Sequence, residues 1–166
     1  MTLLEEVLEA WNYTRSGVIA EIENLPDDRF MERPAGLQRS PLELANHIIE
    51  SGRLMSGELS RADADFLRKS YPDLLAEHSR TGDQAQSKTA VIEALRRSHD
   101  EGAAQMAEAG EVHMLQLVRQ FNGTPATRLV WLLHGIAHEE YHRGQLAMYA
   151  RLFGKKPALT LLIEGS

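Results

Sequence analysis

The sequence contains no cysteine. That absence removes disulfides, zinc–thiolate sites and a cysteine nucleophile, so any thiol chemistry needs a thiol supplied from outside the chain. An excess of positive charge is also missing. The net charge is −6 with no local basic patch, which favours solubility and argues against nucleic acid as a partner. There is no long hydrophobic run: Glu5, Glu6 and Glu9 interrupt the first apolar segment, which is therefore neither a signal peptide nor a membrane span. No membrane partner is expected, and a cytoplasmic location is the default. Glycine-rich phosphate loops, a Ser-His-Asp arrangement, a dinucleotide fingerprint, a repeat period and low-complexity segments are all lacking as well.

What remains is a globular composition, 43% hydrophobic and 25% charged over 166 residues. This is the expectation for one domain, residues 1–166, that buries roughly two-thirds of its unfolded surface. Residues 2–23 read as a helix, with Leu4, Val7, Leu8, Trp11, Val18, Ile19 and Ile22 on one stripe and Thr2 as its cap. Residues 24–39 carry two prolines and a glycine and read as a connector. Ser40-Pro41-Leu42-Glu43 is a capping box with proline at the first helical position, predicting a second helix to about Leu59. Residues 60–86 read as one or two short helical turns and a loop. A third helix spans about 88–109 and stops at Gly110, its small residues Gly102, Ala103, Ala104 and Ala107 implying close approach to a neighbour. Residues 111–123 fit either a short helix or an extended segment, ending in an Asn122-Gly123 turn. The fourth helix is predicted from Thr124-Pro125 to about Phe153. The fold class is all-α: a four-helix bundle with long connections between helices. The fourth helix is apolar nearly all round from Leu129 to Ala137, which predicts a covering partner and hence a homodimer.

The fourth helix also concentrates the chemistry. His134, His138 and His142 recur at intervals of four, one helical turn each, on one side. Neighbouring imidazoles can share an ion, whereas His134 and His142, roughly 12 Å apart along the axis, cannot. The pair is either His134/His138 or His138/His142. His138 and His142 fall on the arc that also holds Trp131, Gln145, Tyr149 and Leu152. On the second helix His47 borders the apolar stripe, flanked by Glu43, Glu50 and Ser51, a position that suits a cavity between helices. Bundle metal sites are built from facing helices in this way, and three neutral imidazoles leave coordination positions open. Glu50, one turn beyond His47, is a candidate acceptor behind a ligand or a general base. Glu139 lies about 100° from His138 on the wheel and is expected in solvent. Gln145 and Tyr141 are expected to line the pocket, and Arg143 to lie at the surface or between helices. His78, His99 and His113 have no partner at ligand spacing and are expected at the surface or in loops.

Two signatures carry a family resemblance. One is Arg33-Pro34-Ala35-Gly36 followed by Ser40-Pro41-Leu42-Glu43-Leu44-Ala45-Asn46-His47. The other is His138-Glu139-Glu140-Tyr141-His142-Arg143-Gly144-Gln145-Leu146, ending in Tyr149-Ala150-Arg151-Leu152-Phe153-Gly154-Lys155-Lys156-Pro157. Together they resemble the DinB-like family of bacterial four-helix bundles, the damage-inducible and bacillithiol-transferase-related group. Carried over residue by residue, the resemblance implies a metal triad of His47, His138 and His142, with His134 a nearby pocket or packing residue. It implies a divalent metal, zinc or nickel, although three imidazoles also suit iron or manganese. The implied function is a thiol-dependent S-transferase acting on small-molecule electrophiles, with a low-molecular-weight thiol as co-substrate. A hydrolase using the same site and a non-catalytic metal-binding stress-response protein are the alternatives.

Overall fold

The structure, a computed structural model, describes residues 1–34 and 36–165; Ala35, within the first signature, lies outside the described residues. The predicted helices form where their caps place them. Helix α1 (Leu3–Asn24) begins at Thr2 and α2 (Pro41–Ser60) at Ser40, each with a reciprocal capping box. A short α3 (Tyr71–His78) follows, and α4 (Lys88–Ala109) ends where Gly110 takes a positive φ of 83°. That conformation is costly for a residue with a Cβ. Next come one turn of helix, α5 (Glu111–Met114), the hairpin strands β1 (Leu117–Arg119) and β2 (Pro125–Thr127), α6 (Arg128–Leu152) and a short α7 (Ala158–Glu164).

The fourth long helix therefore starts later than Thr124-Pro125 suggested. Those residues enter β2, which pairs antiparallel with β1, Arg119 opposite Pro125 and Leu117 opposite Thr127. Thr127 is the true cap, accepting from the Val130 amide at 3.1 Å. The 111–123 ambiguity resolves into both elements in succession, helix then strand. Among the described residues no helix is long and apolar enough to cross a membrane.

The four long helices, α1, α2, α4 and α6, make a bundle in which α1 packs on α4 and α6, and α2 packs on the same two from the other side. Helices consecutive in the chain, α1 then α2 and α4 then α6, thus sit diagonally, which is why their connections are long. Two apolar clusters fill the bundle. One gathers Val18, Ile22, Ile48, Ile49, Leu95 and Leu146; the other gathers Val7, Trp11, Met55, Leu59, Met106 and Leu132. Close approach on α4 falls to Gly102, where a Cβ would lie 2.7 Å from Ser56 Oγ and 3.0 Å from the Trp11 ring.

A buried polar layer crosses the bundle between the clusters. Glu139, predicted to be solvated, is 1% exposed. Its carboxylate accepts from Trp11 Nε1 at 2.8 Å and from Arg15 Nε and Nη2 at 2.9 and 2.5 Å. Arg15 also donates to the Leu95 carbonyl and to Ser98 Oγ. A wheel centred on one neighbour misjudged this arc because α6 packs against both α1 and α2.

Of the isolated histidines, His99 is buried, against expectation, while His78 and His113 are partly exposed but bonded. His99 is buried against Trp11, ring centroids 4.5 Å apart. His78 Nε2 lies 2.9 Å from the buried Glu58 carboxylate, and His113 Nε2 lies 2.9 Å from the Leu59 carbonyl oxygen. Leu152, placed on the inward arc, is instead half exposed. Arg143 is buried between helices, over the Tyr13 ring and against Gly17.

Candidate metal centre

His47 reaches the site from the middle of α2, and His138 and His142 from successive turns of α6. The ring of His47 stands edge-on to both others, with centroids 5.3 Å from His138 and 4.9 Å from His142. One nitrogen from each residue falls in a group whose members all lie within 4.8 Å of one another. Nε2 of His142 and Nε2 of His138 are 3.0 Å apart. Two nitrogens sharing one ion at about 2.0–2.1 Å each sit at such a separation.

The protonation pattern fits ligation. His142 Nδ1 lies 2.7 Å from Gln145 Oε1, and an amide oxygen can only accept. Nδ1 therefore carries the proton, leaving the Nε2 lone pair for the shared space. Burial lowers the affinity of all three imidazoles for protons. In His47, burial, Arg39 and the other two imidazoles together bring the pKa down to about 4. In His138, burial acts first and His142 adds to it; in His142, burial outweighs the opposing bond to Gln145. Neutral imidazole is the ligand form, so the donor set is ready at neutral pH.

The remaining candidates are placed around this centre. The Glu50 carboxylate accepts from Gln84 Nε2 and is not among the converging atoms. His134, stacked on Trp131 with centroids 5.3 Å apart, is a pocket residue. Tyr141 presents its edge to His142 at 5.1 Å. Two cavities flank the three histidines. A cavity of about 240 Å³ beside His138 is walled by Met55, Phe66, Tyr71, Phe121, Trp131 and His134. Another of about 570 Å³ beside His142 has Leu37, Arg39, Tyr141, Gln145, Met148 and Tyr149 on its walls. One is apolar and aromatic; the other has a guanidinium and an amide at its rim.

Arg15 and Arg39 went unremarked as parts of the site's surroundings, and Glu139 was weighed but placed in solvent. For Arg15 a signal existed: it occupies the apolar stripe of α1 between Trp11 and Val18, where a charge must find a buried partner. Arg39 lies in the connector, where no periodicity directs a side chain.

The comparisons agree with this architecture. A DinB-like protein from Bacillus subtilis shares 18% identity, with 91% of this chain and 93% of that one aligned at a TM-score of 0.69. YfiT from Bacillus subtilis, described as a probable metal-dependent hydrolase with an unusual four-helix bundle topology, shares 10% identity over 94% of this chain and 91% of that one, TM-score 0.71. A variant of the mycothiol-dependent maleylpyruvate isomerase shares 14% identity over 87% of this chain and 61% of that one, TM-score 0.67. These likenesses establish the fold. Comparison with curated proteins finds no match. The DinB family model, however, matches residues 1–163, nearly the whole sequence and both signatures within it, and the chain belongs to the DinB family.

Proposed function

We propose that the protein is a metal-dependent enzyme in which His47, His138 and His142 hold a divalent metal, zinc or nickel, and that it transfers a low-molecular-weight thiol to small electrophiles. The observation that carries the metal reading is the convergence of three neutral imidazoles beside an apolar cavity. Among the described residues no carboxylate joins the group, which leaves the ligand set open, as a catalytic site requires and a purely structural one does not. When bound, such an ion supplies Lewis acidity that lowers the pKa of a coordinated thiol or water.

The chain's own residues do the rest. Gln145 holds His142 in the tautomer that presents Nε2. The buried Arg15–Glu139 pair fixes the rotation of α6, and with it His138. The aromatic walls around Phe66, Phe121 and Trp131 accept the apolar body of an electrophile and exclude water. Arg39 and Gln145 face the other cavity, where they suit the polar part of a thiol co-substrate. With no cysteine in the chain, the sulfur nucleophile arrives with that co-substrate. Glu50, one turn from His47, serves as proton acceptor once released from Gln84.

Hydrolysis by a coordinated water uses the same centre, and YfiT's description as a probable metal-dependent hydrolase favours testing it in parallel. Protein purified without a histidine tag is expected to take up about one zinc or nickel ion per chain, and His138→Ala to lose it. Wild type that binds neither metal would sink this reading. Loaded wild type is then assayed with thiols and an electrophile, and separately with esters. Turnover only in the presence of thiol identifies the transferase; turnover of esters without thiol identifies the hydrolase.

A further inference from the structure

Aromatic residues are scarce in this chain and unevenly placed. It holds four phenylalanines, four tyrosines and two tryptophans, yet Phe66, Tyr71, Phe121 and Trp131 all line the cavity beside His138. Their rings touch in a chain. Phe66 stands 4.8 Å from Trp131 and 4.9 Å from Phe121, and Phe121 stands 5.7 Å from both Trp131 and Tyr71. Trp131 in turn stacks on His134.

Separate segments deliver these rings. Trp131 and His134 come from the first turns of α6, Phe121 from the turn between β1 and β2, Phe66 from the loop after α2, and Tyr71 from the start of α3. The hairpin is stitched to the Phe66 loop twice: the Phe66 amide donates to the Arg119 carbonyl at 3.0 Å, and Arg119 pairs with Asp65 at 2.6 Å. The small elements outside the four long helices are thus what brings rings to this wall. Phe66 is buried, but Tyr71 and Phe121 are 44% and 39% exposed, and His134 is exposed as well. Rings gathered at a cavity mouth leave in water an apolar surface that a bound ligand removes.

The walls narrow the ligand's chemistry. A cavity of about 150 Å³ suffices for benzene, so one of about 240 Å³ holds a substituted ring or two fused rings. Trp131 and His138 are two turns apart on α6, roughly 10 Å, the length of such a ring with a short side chain. Aromatic boxes also receive cations. Here, however, the carboxylate on the wall, Glu139, is already neutralised by Arg15, and an ion between the three histidines would repel a second positive charge. An anion finds no lysine or arginine among the described residues of the lining. A neutral ligand remains. Met55 completes the wall, its Sδ lying where a Cβ on Gly135 would overlap it, and sulfur is a favourable neighbour for a ring.

We propose that this cavity seats a neutral aromatic ring, single or fused to a second, so that the electrophile is an aromatic compound with its reacting group turned toward His138. The substrate class rests on the function proposed above; ring binding needs no metal and is tested without it. Benzyl alcohol and cyclohexylmethanol are titrated into metal-free protein and followed by NMR. A merely apolar cavity would prefer the more hydrophobic cyclohexylmethanol; this one should bind benzyl alcohol about three- to tenfold more tightly. The ring current of the bound probe should shift the imidazole protons of His134 and His138. Tyr71→Leu with Phe121→Leu keeps the wall apolar but removes two rings that lie outside the bundle core. It should abolish the preference and leave the melting temperature and metal uptake of the wild type. Equal or reversed affinities, unshifted His134 and His138 signals, or a preference that survives the double substitution would each overturn the proposal, as would tighter binding of tetramethylammonium. Protein that prefers benzyl alcohol yet takes up neither zinc nor nickel keeps the ring site and loses the metal-dependent reaction. Protein that takes up metal without the preference loses the ring site alone.

Discussion

At the residue scale the decisive group is Glu139. It is one position from His138, yet it faces the core rather than the site, held by Arg15 and Trp11 in a layer where both charges are about 2% exposed. Removing one partner of such a pair strands the other charge in a poorly solvating interior. Glu139→Ala is therefore expected to cost about 3–5 kcal/mol, read as a lower urea midpoint at unchanged m. Arg15→Met with Glu139→Leu removes both charges and should cost much less. Equal losses for the single and the double variant would mean the pair does not function as a unit. The same residues show what sequence could convey about the site. His138 and His142 were legible because a helix fixes their spacing, and His47 because a strong cap fixed its register. Which of His134/His138 or His138/His142 formed the pair was not legible from spacing alone; the structure turns His134 onto Trp131. The burial of Glu139 was hidden for a different reason, since it depends on two neighbouring helices at once.

At the scale of elements, α1, α2 and α4 were readable to within a residue or so, because caps and apolar stripes are local signals. The Leu117–Thr127 hairpin was not. Thr124-Pro125 satisfies a helix start as well as a strand edge, and only pairing with Leu117–Arg119 decides between them. The segment after α2 was equally opaque, because it is held by tertiary charge contacts. Glu58, at the end of α2 and fully buried, accepts from Arg68 Nε and Nη2 and from the Asp65 amide, with His78 at 2.9 Å. Burial alone would raise its pKa, but these partners prevail and hold it far below the ordinary 4.5. The sign follows: a depressed folded-state pKa gives stability that is complete above about pH 4.5 and drains away as pH falls through the folded value. Glu58→Gln should thus lower stability at neutral pH. The gap between wild type and variant should hold constant down to about pH 5 and narrow below it. Urea midpoints measured from pH 7 to pH 3 test this; a gap that stays constant throughout would show that Glu58 is not the titrating group.

At the scale of the whole molecule, the bundle order places α2 and α6 side by side although α4 intervenes in the chain. The three imidazoles therefore come from segments about ninety residues apart in the chain, and they converge only when both helices are packed. An ion held by all three binds the folded chain and not the unfolded one, so its binding energy adds to folding stability. At a free zinc or nickel concentration one hundred times the dissociation constant the gain is about 2.7 kcal/mol. For a chain of this size that corresponds to a rise in melting temperature of about 5–10 °C. His138→Ala should show no such rise. Calorimetry with and without metal separates the cases. A rise retained in His138→Ala would place the stabilising ion somewhere other than between α2 and α6.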